Sequence, residues 1–537
     1  HARGFGFVQP HEGSEIIENV FIPRDYILDA ITDDVVLIEI SGEKSPKGYE
    51  GKVLKILKRN TKLLIGSVFS ILKNEVQLFC PVLGKKKAVT LKKDSHKIDL
   101  GDRLEVKVLS WGSNAKPIRT TLVNNLGSIN DASKDISIAT KEHGIFEAFN
   151  EKCQQEAKKW GTTVSKENLK GRIDYTGLTT VTIDPDTARD FDDALSLEID
   201  KKGHFHLGVH IADVSHYVDI DSALDEEAFK RGNSTYFPGK CIPMIPESLS
   251  NGLCSLKPDV IRLSASVMIE LDPKGTLIDY QVQKAYIKSD KRFTYKEALA
   301  VLEERAKSPF APLLNNLKKL ALLLKKKRTD RGSIDFALPE GYIHIDKNGN
   351  PTSIERIEYD ITHQLVEEFM LKANEVVATH LHHQVGKAIF RVHEEPDIEN
   401  FNALFDLTSR LGFSLPKNPE IKDIQAIFTQ AKESPYLPLL SIQFIRSLKL
   451  AMYSPDNVGH FGLSLEHYCH FTSPIRRYTD LVIHRLLFCK QYDVALEKIS
   501  MNCSETERKS MRAESSVVLL KKLRLLELNR KNNPSKV

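Results

Sequence analysis

The first part of the chain alternates apolar and polar positions with a period of two, the mark of half-buried β-strands. Arg3-Gly4-Phe5-Gly6-Phe7-Val8 opens the pattern, and Val20-Phe21-Ile22-Pro23 follows it. Ser41-Gly42-Glu43-Lys44-Ser45-Pro46 reads as a polar linker. Beyond it, the runs from Gly51 to Leu57, Leu78 to Val82 and Gly101 to Val108 alternate again and predict a second small barrel. From about Ile138 the period becomes helical, with Phe146, Phe149 and Cys153 at three- and four-residue spacing. The long remainder mixes both periods. Thr180-Val181-Thr182-Ile183 is β-like, and Leu207 to Val214 predicts a buried strand. Leu313 to Lys327 predicts an amphipathic helix, Arg331 to Phe336 a return to strand, and Gln364 to Glu375 a helix in which Glu367, Leu371 and Asn374 share a face. The expectation is a multidomain protein in which all-β barrels precede a large α+β body.

Length agrees, because 537 residues exceed what one core organises. No stretch approaches the run of ~18 apolar residues that spans a membrane. The chain begins at His1 inside a strand-like pattern and reads as a fragment. Its seven cysteines are scattered, with no CxxC pair, which points to reduced thiols in the cytoplasm rather than to zinc or disulfides. The net charge of +4 conceals an asymmetry. Residues 51–120 carry 16 Lys/Arg against 5 Asp/Glu, a balance of +11, so the rest of the chain sums to −7. A basic all-β segment with Lys85-Lys86-Lys87 suits phosphate, although edge lysines also discourage strand-to-strand aggregation. At the start, Phe5 and Phe7 place rings on one face of a strand, an arrangement that stacks single-stranded bases.

The densest chemistry lies in Asp184-Pro185-Asp186-Thr187-Ala188-Arg189-Asp190-Phe191-Asp192-Asp193, five carboxylates in ten residues. Crowded carboxylates repel one another unless a cation neutralises them. Oxygen ligands without His or Cys point to Mg²⁺, Mn²⁺ or Ca²⁺ rather than zinc. A calcium loop counted from Asp184 would need Gly sixth and Glu twelfth, where Arg189 and Leu195 stand, so an EF-hand is excluded.

Other stretches add parts. His210 and Asp213, in the buried strand, suit either function or satisfied structural pairing. Pro238, Pro243 and Pro246 fall within nine residues and predict a stiff extended loop beside Tyr236 and Phe237, a stacking platform or core packing. In His470-Phe471-Thr472-Ser473-Pro474-Ile475-Arg476-Arg477-Tyr478-Thr479-Asp480, paired arginines stand at a helix start, the side chain best suited to clamp phosphate.

The aspartate loop, the run from Arg231 to Leu256 and the run from His470 to Arg485 together resemble the RNase II superfamily. That resemblance implies OB-like (cold-shock) domains at 1–45, the first one partial, and 46–128, then an RNB catalytic domain at 129–537 ending in helices. It implies a metal-dependent 3′-to-5′ exoribonuclease that processively hydrolyses single-stranded RNA to nucleoside 5′-monophosphates, as a monomer. Family members usually carry a complete first cold-shock domain and a terminal S1 domain, which this chain does not span. Residue by residue, Asp184, Asp190, Asp192 and Asp193 match the metal-binding aspartates, for Mg²⁺ with Mn²⁺ as the alternative. Asp192 and Arg476 match catalytic positions, and Arg477 the lesser neighbour. Tyr236 and Phe336 match base-stacking aromatics, and Glu514 a glutamate near the RNA 3′ end. Superfamily members that have lost aspartates only bind RNA; the complete set with Arg476 favours an enzyme.

Overall fold

A computed structural model describes residues 5–10, 19–45, 48–84, 87–93, 97–112, 116–334, 340–416, 419–489 and 492–532. Lys85, Lys86 and Phe336 lie outside the described residues. The chain divides into two compact units, residues 1–144 with 345–350 and 526–537, and residues 145–344 with 351–525.

The first unit holds two β-structures. Strands β1 (Gly6–Val8), β2 (Val20–Ile22), β3 (Val35–Ser45) and β4 (Gly48–Lys58) form a sheet in the order β1-β2-β4-β3. The polar stretch expected as a linker is instead the tip of a hairpin, with Ser45 opposite Gly48. Strands β5 (Leu63–Ile71), β6 (Glu75–Phe79), β7 (Val89–Lys92), β8 (Asp102–Ser110) and β9 (Ile118–Ser128) close into a five-stranded barrel. Its interior is filled by alternate residues such as Leu64, Val76, Leu78, Leu104 and Val106. Closure leaves this sheet without a free edge. Helix α1 (Asp135–His143) follows and stops where Gly144 takes a left-handed turn.

The second unit opens with α2 (Glu151–Lys159), capped when Asn150 Oδ1 accepts from Cys153 N–H. Phe146 and Phe149 therefore stand in the connection between two helices, and their helical spacing to Cys153 was coincidental. The centre is a seven-stranded sheet built from β10 (Ile173–Asp174), β11 (Thr180–Asp184), β12 (Asp193–Ile199) and β13 (Phe205–Ala212) with three later strands. After α3 (Ala223–Arg231), a small hairpin of β14 (Thr235–Phe237) and β15 (Lys240–Ile242) occupies the segment expected as an extended loop. Pro238 and Gly239 form its turn, with Gly239 supplying the positive φ, and Pro243 and Pro246 follow its second strand, so no ladder donor is lost. Strands β16 (Ile261–Leu271), β17 (Leu277–Lys288) and β18 (Lys291–Thr294) complete the order β10-β17-β16-β13-β12-β11-β18. Helices α4 (Tyr295–Leu302), α5 (Ala311–Arg331) and α6 (Ile361–His380) pack on the β11–β13 part. Three helices, α7 (Asn402–Arg410), α8 (Ile421–Gln430) and α9 (Leu437–Ser447), enclose a small core of their own around Leu404, Ile427 and Phe444. The chain returns through α10 (Tyr478–Phe488) to the long α11 (Leu496–Asn532).

Several polar groups of this core are satisfied internally. His210 lies between Ser196 Oγ at 2.9 Å and Ser266 Oγ at 2.8 Å, and Arg172 Nη2 donates to Asp213 at 2.6 Å. Glu368 is buried and accepts from Arg328 at 2.7 Å, so it neither faces solvent nor joins the acidic centre. Among the described residues no helix is long and apolar enough to cross a membrane.

A carboxylate-lined candidate active site

Antiparallel pairing of β11 with β12 puts Asp184 at the end of one strand and Asp193 at the start of the next. The intervening turn is tied at both ends. Ala188 N–H donates to the Pro185 carbonyl, and Ala212 N–H donates to the Asp192 carbonyl at 2.8 Å. Asp184 and Asp192 are buried. Enclosure holds the carboxyls of Asp184, Asp192 and Asp193 above the ordinary carboxylate range, and repulsion between neighbours adds to it. Asp184 Oδ2 is buried without a hydrogen-bond partner.

Across 283 residues of chain, Ile475 N–H donates to Asp192 Oδ1 at 2.9 Å. Arg476 follows directly, with Nε 3.5 Å from Asp192 Oδ2 and Nη2 donating to Ser473 Oγ at 2.9 Å. Arg477 turns the other way and makes two bonds to buried Asp480, at 2.9 and 2.7 Å. The pair thus splits into one residue at the aspartates and one that ties the 473–480 turn. Both precede α10 rather than lying in its first turn.

The segment around Tyr236 is stitched to this turn. Ser234 N–H donates to the Arg476 carbonyl at 3.0 Å, and Tyr478 N–H to the Gly232 carbonyl at 2.9 Å. Tyr236 consequently stands beside the loop, 40% exposed, its hydroxyl donating to Asp190 Oδ2 at 3.3 Å. From α11, Ser510 meets Asn233 and Thr235. Glu514, exposed, lies one helical turn beyond Ser510 on the same stripe.

Two residues that the sequence reading did not single out complete the surroundings. Parallel pairing aligns Asp184 with Thr294, so Tyr295 emerges next to the carboxylates, with its ring stacked 4.0 Å from that of His363. Arg292 donates from Nη2 to the Pro185 carbonyl at 2.6 Å and lies 5.5 Å from the Phe191 ring. Pairing between strands more than a hundred residues apart carries no local periodicity, and only the alternation around Lys291–Thr294 hinted at a strand. In the first unit, Phe5, Phe7 and Phe21 form a ring cluster with centroids 5.5 to 5.9 Å apart, and Phe7 is 66% exposed. Lys87 departs from expectation. Its ammonium donates to the Asp29 carbonyl at 2.7 Å, and burial lowers its affinity for the proton.

Among the described residues no three His, Cys, Asp or Glu side chains converge into a metal cage on their own. Mg²⁺ does not require one, since it keeps several waters and is commonly held by one or two carboxylates with substrate phosphates. The orphaned Asp184 Oδ2 and an oxygen-only donor set fit such an ion.

The chain is similar to known proteins along most of its length. The RNB domain model matches residues 172–490, and the Ribonuclease B OB domain model matches residues 1–56. Ribonuclease R of Chlamydia muridarum is 38% identical over 98% of this chain and 77% of its own length. Mycoplasma genitalium RNase R in complex with ribose-methylated single-stranded RNA superposes with a TM-score of 0.83 at 27% identity, over 97% of this chain and 85% of that one. The same enzyme in complex with double-stranded RNA gives 0.79 at 29% identity, over 88% and 87%. Matches of this extent, in sequence and in fold, make the chain a member of the RNB-domain exoribonucleases, within the ribonuclease R family.

Proposed function

We propose that this 3′-to-5′ exoribonuclease performs its chemistry at the Asp184–Asp193 loop, with Asp192 and Arg476 as the catalytic pair. The reading rests on one juxtaposition: Asp192 meets both the Ile475 amide and the Arg476 guanidinium, brought from the far end of the chain. Asp184, Asp190, Asp192 and Asp193 would hold Mg²⁺, with Mn²⁺ as the alternative. Bound there, a divalent ion supplies charge neutralisation at the phosphate and lowers the pKa of an attacking water. The Ile475 N–H fixes one carboxylate oxygen of Asp192 and leaves the other toward the site. Arg476, 43% exposed, is free to leave Asp192 for the scissile phosphate and offset the charge that develops there. Tyr236 stacks on a base near the 3′ end while its hydroxyl steadies Asp190. Phe336 and Glu514 complete the grip on the last nucleotides, and Phe5, Phe7, Lys85 and Lys86 hold RNA further along. Single-stranded RNA is then shortened processively to nucleoside 5′-monophosphates by a monomer. The seven free cysteine thiols suit the reducing cytoplasm.

End-labelled single-stranded RNA and DNA, incubated with and without Mg²⁺, test this. RNA alone is expected to yield mononucleotides, and only with the metal. Asp192→Asn is expected to abolish cleavage while leaving RNA affinity equal or higher, because one negative charge leaves a crowded cluster. Full turnover by that variant removes the loop from the chemistry.

A further inference from the structure

The run Ser248 to Leu256 marks this chain as strongly as the aspartates do, yet none of its residues has a part in the scheme above. It forms a tight turn, Leu249–Leu253, capped by Cys254 and followed by Ser255, which has no exposed surface. The Ser255 hydroxyl donates to the Arg189 carbonyl at 2.8 Å and accepts from Phe191 N–H at 3.0 Å. These are the two residues on either side of Asp190. Leu256 N–H adds a bond to the Phe191 carbonyl at 3.0 Å, immediately before Asp192. From behind, buried Arg262 on β16 donates to the Ser255 carbonyl at 3.0 Å and to the Gly252 carbonyl at 3.3 Å. A hydroxyl has one proton and two lone pairs, and Ser255 directs the proton and one lone pair at a single short piece of backbone.

We propose that Ser255 is a positioning residue, a bracket that sets the backbone on both sides of Asp190 and so fixes the separation between the Asp190 and Asp192 carboxylates. It touches neither substrate nor metal and acts through the loop. Geometry errors well under an ångström matter at such a site, and residues that orient metal ligands from behind commonly cost 10–100-fold in affinity or activity when removed. The inference rests on the reading of Asp190 and Asp192 as metal carboxylates, and its test separates the two.

Mn²⁺ binding to the full chain, followed by electron paramagnetic resonance, is measured together with kcat and KM on single-stranded RNA. Ser255→Ala is expected to weaken Mn²⁺ by about 10–100-fold and to lower kcat by a similar factor, with KM for RNA unchanged. Ser255→Cys keeps the volume but makes weak bonds, so an intermediate loss is expected; it carries the measurement if the alanine variant does not fold. Ser266→Ala is the control, a buried serine of the same core that bonds His210 and not the loop. It is expected to bind Mn²⁺ as the wild type does. Wild-type Mn²⁺ affinity and kcat in both Ser255 variants, or an equal loss in Ser266→Ala, overturns the proposal. Asp192→Asn stands beside them: if it also binds Mn²⁺ like the wild type, the loop is not the metal site and the functional reading fails first.

Discussion

At the scale of single residues, neighbours in sequence have unrelated tasks. Arg476 reaches Asp192, while Arg477 is spent on Asp480. Tyr236 is a half-open ring anchored by one weak hydroxyl bond, so its value lies in stacking, worth about 1–3 kcal/mol per base. Tyr236→Ala is therefore expected to degrade long RNA, held by many contacts, but to release short RNA early and leave a longer final fragment on a sequencing gel. Arg476→Ala is expected to slow every step instead, since its charge matters most in the transition state. His210 gives a different test. Burial pushes its imidazole down to about 4, whereas the unfolded chain protonates near its ordinary value. Between those values the unfolded state binds the extra proton, so stability falls as pH drops from about 6.5 toward 4, by up to about 3 kcal/mol. In His210→Gln, the loss of melting temperature over that interval is expected to be shallower than in the wild type.

Elements explain what the residues cannot. The segment from Arg231 to Phe237 runs against α11, and Gly232 sits at the crossing with φ +68°. A Cβ there would lie 2.0 Å from Thr506 Oγ1. Gly232→Ala is expected to lower the melting temperature and to displace Tyr236. Adding Thr506→Ala should relieve the clash but leave about 1–3 kcal/mol of positive-φ backbone strain. A double-mutant cycle followed by thermal melting checks this, and strict additivity would show that the two residues do not meet. The same scale explains which features could be read in the chain. Barrel strands, the buried strand at Leu207 and the helices at Leu313 and Gln364 follow from periodicity, because burial of one face imposes it. The aspartate loop and Arg476 were legible from charge density and spacing. Tyr295, Arg292 and the role of Ser255 were not, because each acts through pairing or contact with a segment more than sixty residues away. Phe146 and Phe149 misled for the opposite reason, since regular spacing crossed a helix end that Gly144 and Asn150 impose.

Taken whole, the molecule separates its charges. Positive charge is concentrated in residues 51–120, and the loop aspartates belong to the other unit. Neutralising Lys85 and Lys86 is expected to flatten the dependence of log affinity for RNA on log salt by about 0.7 per lost phosphate contact, without changing kcat on very short RNA. Lys87→Ala alone is expected to leave that slope unchanged, since its ammonium is already engaged by Asp29. An unchanged slope in the Lys85/Lys86 variant would make those lysines a solvated edge. The bond between Ile475 and Asp192 also has a consequence in time. A chain emerging from the ribosome exposes all four aspartates long before residue 475 is made, and until then Asp192 lacks both its amide partner and Arg476. The contacts that hold Asp192 are therefore completed only after residue 476 has been made and has folded back onto the loop.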